Sequence, residues 1–129
     1  MDSSADKLKI LIVDDEEDVV KPIAFRLDIQ GFEVLMEPDG DLGFQTAVAE
    51  LPDLILLDIM MPGIDGWETL TRLKRDPETA KIPVIIFTAR EHSRGHQKSE
   101  EMGAADYFRK PFEPDELIEL VEKHVGQQV

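Results

Sequence analysis

Leu54-Ile55-Leu56-Leu57-Asp58 is a short, β-rich apolar run that ends in a carboxylate, and three other runs share its form. Leu8-Lys9-Ile10-Leu11-Ile12-Val13 leads into Asp14 and Asp15, Val84-Ile85-Ile86-Phe87 into Thr88, and Asp106-Tyr107-Phe108-Arg109 into Lys110. Helix-length segments separate the runs, so the spacing predicts a parallel α/β sheet. In such sheets the carboxyl ends of the strands form the ligand crevice. Three carboxylates, a hydroxyl and an ammonium would then meet on one edge.

The segments between the runs complete a βα unit repeated five times. Val20, Ile23, Ala24 and Leu27 follow the i, i+3, i+4, i+7 spacing of a helix with one buried face, and Gly31 ends it. Pro22 conflicts with that helix, because an internal proline loses a hydrogen bond and clashes with the preceding turn. The helix either begins late, near Asp18, or is kinked early. Phe32 to Met36 reads as the second strand, and Gly43, Phe44 and Ala47 give the inner face of a helix ending before Pro52. Pro62-Gly63 and Asp65-Gly66 punctuate the loop after the third strand. Trp67, Leu70 and Leu73 carry the third helix, which stops before Pro77. A fourth helix is predicted between Glu91 and Met102, closed by Gly103. No large apolar residue lies between Glu91 and Glu101, so this segment is expected to fray. Pro114 opens the last helix, where Leu117, Ile118, Val121 and Val125 form the buried stripe and Leu120 points away from it. Right-handed crossovers place helices on both faces of the sheet.

The 129 residues fit one domain, 1–129, and a hydrophobic content of 42% is enough for one core. Residues 1–7 read as a flexible N-terminus, and no output domain follows the last helix. The absence of cysteine excludes disulfides and thiolate metal sites. Acidic residues number 28 against 14 basic ones, a net charge of -14. That field repels nucleic acid and anionic membranes, so direct nucleic-acid binding is not expected. No apolar run approaches the ~20 residues needed to span a bilayer, and Met1 to Asp6 is no signal peptide. A cytoplasmic location follows as the expectation.

The acids at the strand ends carry the chemistry. In a nucleotide-binding α/β protein the first turn is glycine-rich, so that backbone amides can cradle phosphates. Here Asp14 and Asp15 occupy it and would repel them. With Asp58 on a neighbouring strand, three like charges would raise one another's pKa values. A divalent cation relieves this, and an all-oxygen site with few protein ligands suits Mg²⁺. Asp is also a favoured helix N-cap, which explains neither the doubling nor the third acid. Lys110, directed into this crevice, becomes a counter-ion or a clamp on a phosphoryl oxygen. His92 and His96, four residues apart, read as solvated side chains, because no third metal ligand accompanies them.

The chain resembles the receiver domain of two-component response regulators, of the chemotaxis-regulator type. The matching stretches are Ile12 to Asp15, Asp53 to Gly66, Ile82 to Ala89 and Gly103 to Phe112, four motifs in the family's order and spacing. The resemblance implies a doubly wound, flavodoxin-like (βα)5 fold with strand order 2-1-3-4-5. It implies that Asp58 accepts a phosphoryl group from a histidine kinase or phosphotransfer protein. Asp15, Asp58 and the Met60 carbonyl would bind Mg²⁺ directly, with Asp14 acting through water. Thr88 and Lys110 would contact phosphoryl oxygens, and Thr88 and Tyr107 would switch the surface of the fourth helix, fifth strand and fifth helix. The Lys110-Pro111 bond would be cis. Met60 and Arg90 would flank the path of the hydrolytic water and slow dephosphorylation. The implied protein is a signalling module without separate substrate turnover, a monomer or weak phosphorylation-dependent dimer. Its downstream partner would be another protein or an output domain missing from this chain. The rivals are a Mg²⁺-dependent aspartyl-phosphate hydrolase and a protein-binding pseudo-receiver. The first typically has a second acid where Met60 stands, and the second does not require the full polar set.

Overall fold

The computed structural model describes residues 7–61, 65–88, 95–110 and 113–126, with Gly95 and His96 as backbone only. The elements run β1 (Lys9–Val13), α1 (Glu17–Ile29), β2 (Glu33–Glu37), α2 (Gly40–Glu50) and β3 (Leu54–Asp58). They continue as α3 (Gly66–Arg75), β4 (Val84–Thr88), α4 (Gly95–Glu101), β5 (Asp106–Arg109) and α5 (Pro114–Val125). The five strands form one parallel sheet in the order β2-β1-β3-β4-β5. This is the parallel α/β sheet that the strand and helix spacing predicted, in the doubly wound strand order that the resemblance implied.

Strand alternation divides the core between the two faces. Ile10, Ile12, Leu54, Leu56, Ile85 and Phe87 pack on one face, against Val20, Ile23 and Leu27 of α1 and Leu117, Ile118 and Val121 of α5. Leu11, Val13, Ile55, Leu57, Val84 and Ile86 pack on the other, against Ala47 of α2 and Leu70 and Leu73 of α3. Every residue of β3 and β4 is buried, so these strands carry near-continuous apolar runs rather than alternation. Each large side chain so buried contributes about 1.5–3 kcal/mol.

Several local readings are refined. α1 starts at Glu17, one residue from the start near Asp18 that was one of the two alternatives, and carries exposed Pro22 inside it. Gly31 closes the turn after α1 with φ 96°. β2 lies one residue later than Phe32 to Met36, and Phe32 is a fully buried plug before it. Leu120 does not point away from the core: it is half-buried and packs on the α1–α5 side. In α4, Ser99 is buried, and half-buried Met102 and Ala104 anchor the segment that follows it on the opposite face. The expected loop signal Pro62-Gly63, the side chains of His92 and His96, Arg90, and the Lys110-Pro111 bond lie outside the described residues.

Candidate functional site

The sheet order reverses between β1 and β3, which opens a crevice at their carboxyl ends. Register brings the polar residues to it. Val13 pairs with Leu57, so Asp14 follows beside Asp58; Asp58 pairs with Phe87, and Thr88 with Arg109. Thr88 and Lys110 therefore lie one residue beyond the last pairing partners of their neighbours. Lys110 is tied back to β4 by its own N–H, which donates to the Thr88 carbonyl at 2.8 Å.

Asp14, Asp58, Thr88 and Lys110 are all buried. The Lys110 ammonium sits between Asp14 and Asp58. It donates to Asp14 Oδ2 at 2.7 Å and to Glu16 Oε1 at 3.1 Å, and stands 3.6 Å from Asp58 Oδ2. It also lies 4.7 Å from the centroid of the Phe87 ring. Asp58 Oδ1 accepts from the Met60 N–H at 3.1 Å. Burial pushes the Asp58 carboxyl up to about 6, against the pull of the Met60 N–H and Lys110, with Asp14 adding to the rise. For Lys110, burial alone would lower the pKa. The hydrogen bond to Asp14, the charges of Asp58 and Asp14, and the bond to Glu16 outweigh burial and raise it.

Among the described residues, oxygens of Asp14, Glu16 and Asp58 lie within 4.8 Å of one another. Glu16 was not singled out from the sequence, although it follows Asp14-Asp15 directly in an acidic run. Asp15, expected at the centre, is exposed and lies outside this group. It lines a neighbouring cavity of about 220 Å³ with Val20, Met36 and Pro38. Met60 is exposed, and Tyr107 is half-buried on the face that holds Met102 and Ala104. No helix among the described residues is long and apolar enough to cross a membrane.

Fold and site together define a doubly wound α/β protein with a charged crevice at its topological switch point. The model of the response regulator receiver domain matches residues 10–122, and the chain belongs to that family. The phosphate regulon transcriptional regulatory protein PhoB of Pseudomonas aeruginosa is 44% identical over 84% of this chain and 48% of its own length. The DNA-binding dual master transcriptional regulator RpaA of Synechocystis is 38% identical over 88% of this chain and 47% of its own length. The chain thus spans about half the length of these curated relatives. Among solved structures, the BeF3-activated N-terminal receiver domain of RstA from Klebsiella pneumoniae superposes with TM-score 0.84 at 35% identity. That match covers 92% of this chain and 99% of RstA's. A CheY-like receiver domain protein from Methanospirillum hungatei gives 0.85 at 26% identity, covering 91% and 92%.

Proposed function

We propose that Asp58 accepts a phosphoryl group from a histidine kinase or phosphotransfer protein, and that the resulting charge switches a surface read by a downstream protein or output domain. The observation that carries this reading is the buried Asp58 carboxylate, with Lys110 3.6 Å away. A carboxylate oxygen attacks phosphorus, the donor's phosphorus–nitrogen bond breaks, and its electron pair stays with the imidazole. Asp58 is a weak nucleophile, so the site works by positioning and charge compensation. The Met60 N–H fixes one carboxylate oxygen, and Lys110 stands ready to meet the incoming phosphoryl oxygens. Phosphorylation replaces the single charge of Asp58 by the roughly -1.5 to -2 of a phosphoryl group, in a crevice that keeps the Asp14 and Glu16 carboxylates.

The donor set is all hard oxygen, which fits Mg²⁺. Asp58, the Met60 carbonyl and Asp15 would hold it directly, with Asp14 acting through water. Asp15, exposed and outside the Asp14, Glu16 and Asp58 group, would have to turn inward to do so. When bound, the ion neutralises charge on the carboxylates and on the transferred group. Thr88, at the neighbouring strand end, moves toward the phosphoryl oxygens, and Tyr107 follows into the space released. The surface of α4, β5 and α5 changes with it. The protein then works in the cytoplasm as a signalling module, with no substrate turned over apart from its own acyl phosphate. As a whole it is a monomer or a weak phosphorylation-dependent dimer.

The test is incubation with a small phosphodonor and Mg²⁺, followed by intact mass. One phosphoryl group should be added to the wild type and none to Asp58→Asn. Equal labelling of both proteins would refute Asp58 as acceptor. Steady release of phosphate from many added phosphomonoesters would favour the hydrolase.

A further inference from the structure

We propose that Glu16 is a positioning residue that holds Lys110 back from Asp58 and so limits the stability of the phosphorylated state, an inference that rests on the phosphoacceptor reading above. Glu16 occupies the N-cap of α1, where Ser, Thr, Asp and Asn are preferred, and its side chain makes no capping hydrogen bond. Its backbone N–H instead donates to Asp14 Oδ1 at 2.9 Å. That turn aims the side chain across the crevice, where Oε1 accepts from Lys110 Nζ at 3.1 Å. The position is therefore spent on Lys110 rather than on its own helix.

An ammonium has three N–H donors. Lys110 directs its two short contacts, 2.7 and 3.1 Å, to Asp14 and Glu16, and leaves 3.6 Å to Asp58. The two partners are unequal. Asp14 is buried and bonded through both oxygens, so it is fixed. The Glu16 side chain is 53% exposed, and water can replace the ammonium at little cost. When phosphoryl oxygens arrive on Asp58, the bond to Glu16 is the one Lys110 can surrender. Until then Glu16 competes for it. In the phosphorylated state the Glu16 carboxylate is also a like charge beside the new dianion. Both effects favour the unphosphorylated protein.

The probe is beryllofluoride, titrated calorimetrically at saturating Mg²⁺ into wild type, Glu16→Gln and Glu16→Asp, with Mg²⁺ affinity measured separately on each. Glu16→Gln should bind beryllofluoride about fivefold more tightly, the upper end for an exposed ion pair. Glu16→Asp keeps the charge but loses reach, and should fall between. Mg²⁺ affinity should fall in Glu16→Gln, because a carboxylate within 4.8 Å of the Asp14 and Asp58 oxygens attracts the ion without being its ligand. The change in beryllofluoride affinity is therefore read at saturating Mg²⁺ in each protein. Unchanged or weaker beryllofluoride binding by Glu16→Gln would overturn the proposal. A wild type that binds no beryllofluoride would instead remove the phosphoacceptor reading itself.

Discussion

The Lys98 ammonium lies 4.6 Å from the centroid of the Trp67 ring, joining α4 to the first turn of α3. Trp67 directly follows Gly66, which packs so near the backbone of Asp58 and Ile59 that a Cβ there would clash. One ring thus connects the helix that packs on the end of β3 to the helix beside β5. Of Gln97, Lys98, Ser99 and Glu100 in α4, only Ser99 is buried. A cation at the surface over this half-buried ring contributes about 0.5–1 kcal/mol. Lys98→Ala should lower stability by that amount and speed amide exchange in α4, leaving α2 and α3 unchanged. In the wild type without phosphoryl or beryllofluoride, α4 amides should already exchange faster than those of the other helices. Protection equal to α2 and α3 in both proteins would show that α4 is held by other means.

Asp58 should give the fold a specific pH dependence. Its carboxyl titrates near 6 in the folded protein against 3.8 ordinarily, so the folded state holds the proton more tightly. That contribution is complete at pH below the ordinary value and is lost as pH rises through about 6. Two pH units correspond to roughly 3 kcal/mol. Asn at this position stays neutral throughout. Without divalent cations, the stability of Asp58→Asn relative to wild type should therefore grow between about pH 4 and pH 7, by up to roughly 3 kcal/mol. Urea unfolding at a series of pH values reads the difference directly. A constant difference would mean that Asp58 is not desolvated.

What was legible follows from what is periodic. The runs ending at Leu57 and Phe87 are buried along their whole length, and such runs announce themselves as central parallel strands. Since strand ends fix the sheet edge, the convergence of Asp14, Asp58, Thr88 and Lys110 could be inferred from order alone. The turn after β1 has no period to read. Asp14 and Asp15 look equivalent in sequence, yet one turns into the crevice and the other to solvent. Glu16 comes back toward Lys110 because its N–H bonds Asp14, a contact no pattern encodes. Leu120 was misjudged because its helix packs over a wider apolar arc than the strict stripe.

Two glycines separate space that can yield from space that cannot. A Cβ on Gly66 would stand 2.4 Å from the Asp58 carbonyl oxygen and from Ile59 Cα, both backbone atoms. A Cβ on Gly43 would meet the Val13 methyls at 2.7 and 2.9 Å, which belong to a side chain. Gly43→Ala should cost about 1–3 kcal/mol, the usual range for overpacking, with phosphorylation kept. Gly66→Ala must shift the loop itself, and should lose phosphorylation from a small phosphodonor even under conditions where the protein stays folded. Circular dichroism melts and phosphoryl uptake together check both. Full phosphorylation of Gly66→Ala would show that the loop relaxes without moving Asp58.

Leu51 offers the opposite outcome, a substitution that should stabilise. It caps the C-terminus of α2 in the left-handed region, at φ 47° and ψ 63°, and its N–H donates to the Ala47 carbonyl at 2.9 Å. The left-handed conformation costs an L-residue roughly 1–2 kcal/mol, least for Asn and Gly. Leu51 recovers some of this through apolar contact, but it is 48% exposed, so little burial is at stake. Gly removes the strain while giving freedom to the unfolded chain, which offsets part of the gain. Asn removes part of the strain without that entropy cost. Leu51→Asn and Leu51→Gly should each raise stability by about 0.5–1 kcal/mol, seen as a higher urea midpoint at unchanged slope. Phosphoryl uptake should be unaffected, since the residue lies at the opposite end of α2 from the crevice. A lower midpoint for both variants would mean that the exposed leucine contributes more by packing than its backbone conformation costs.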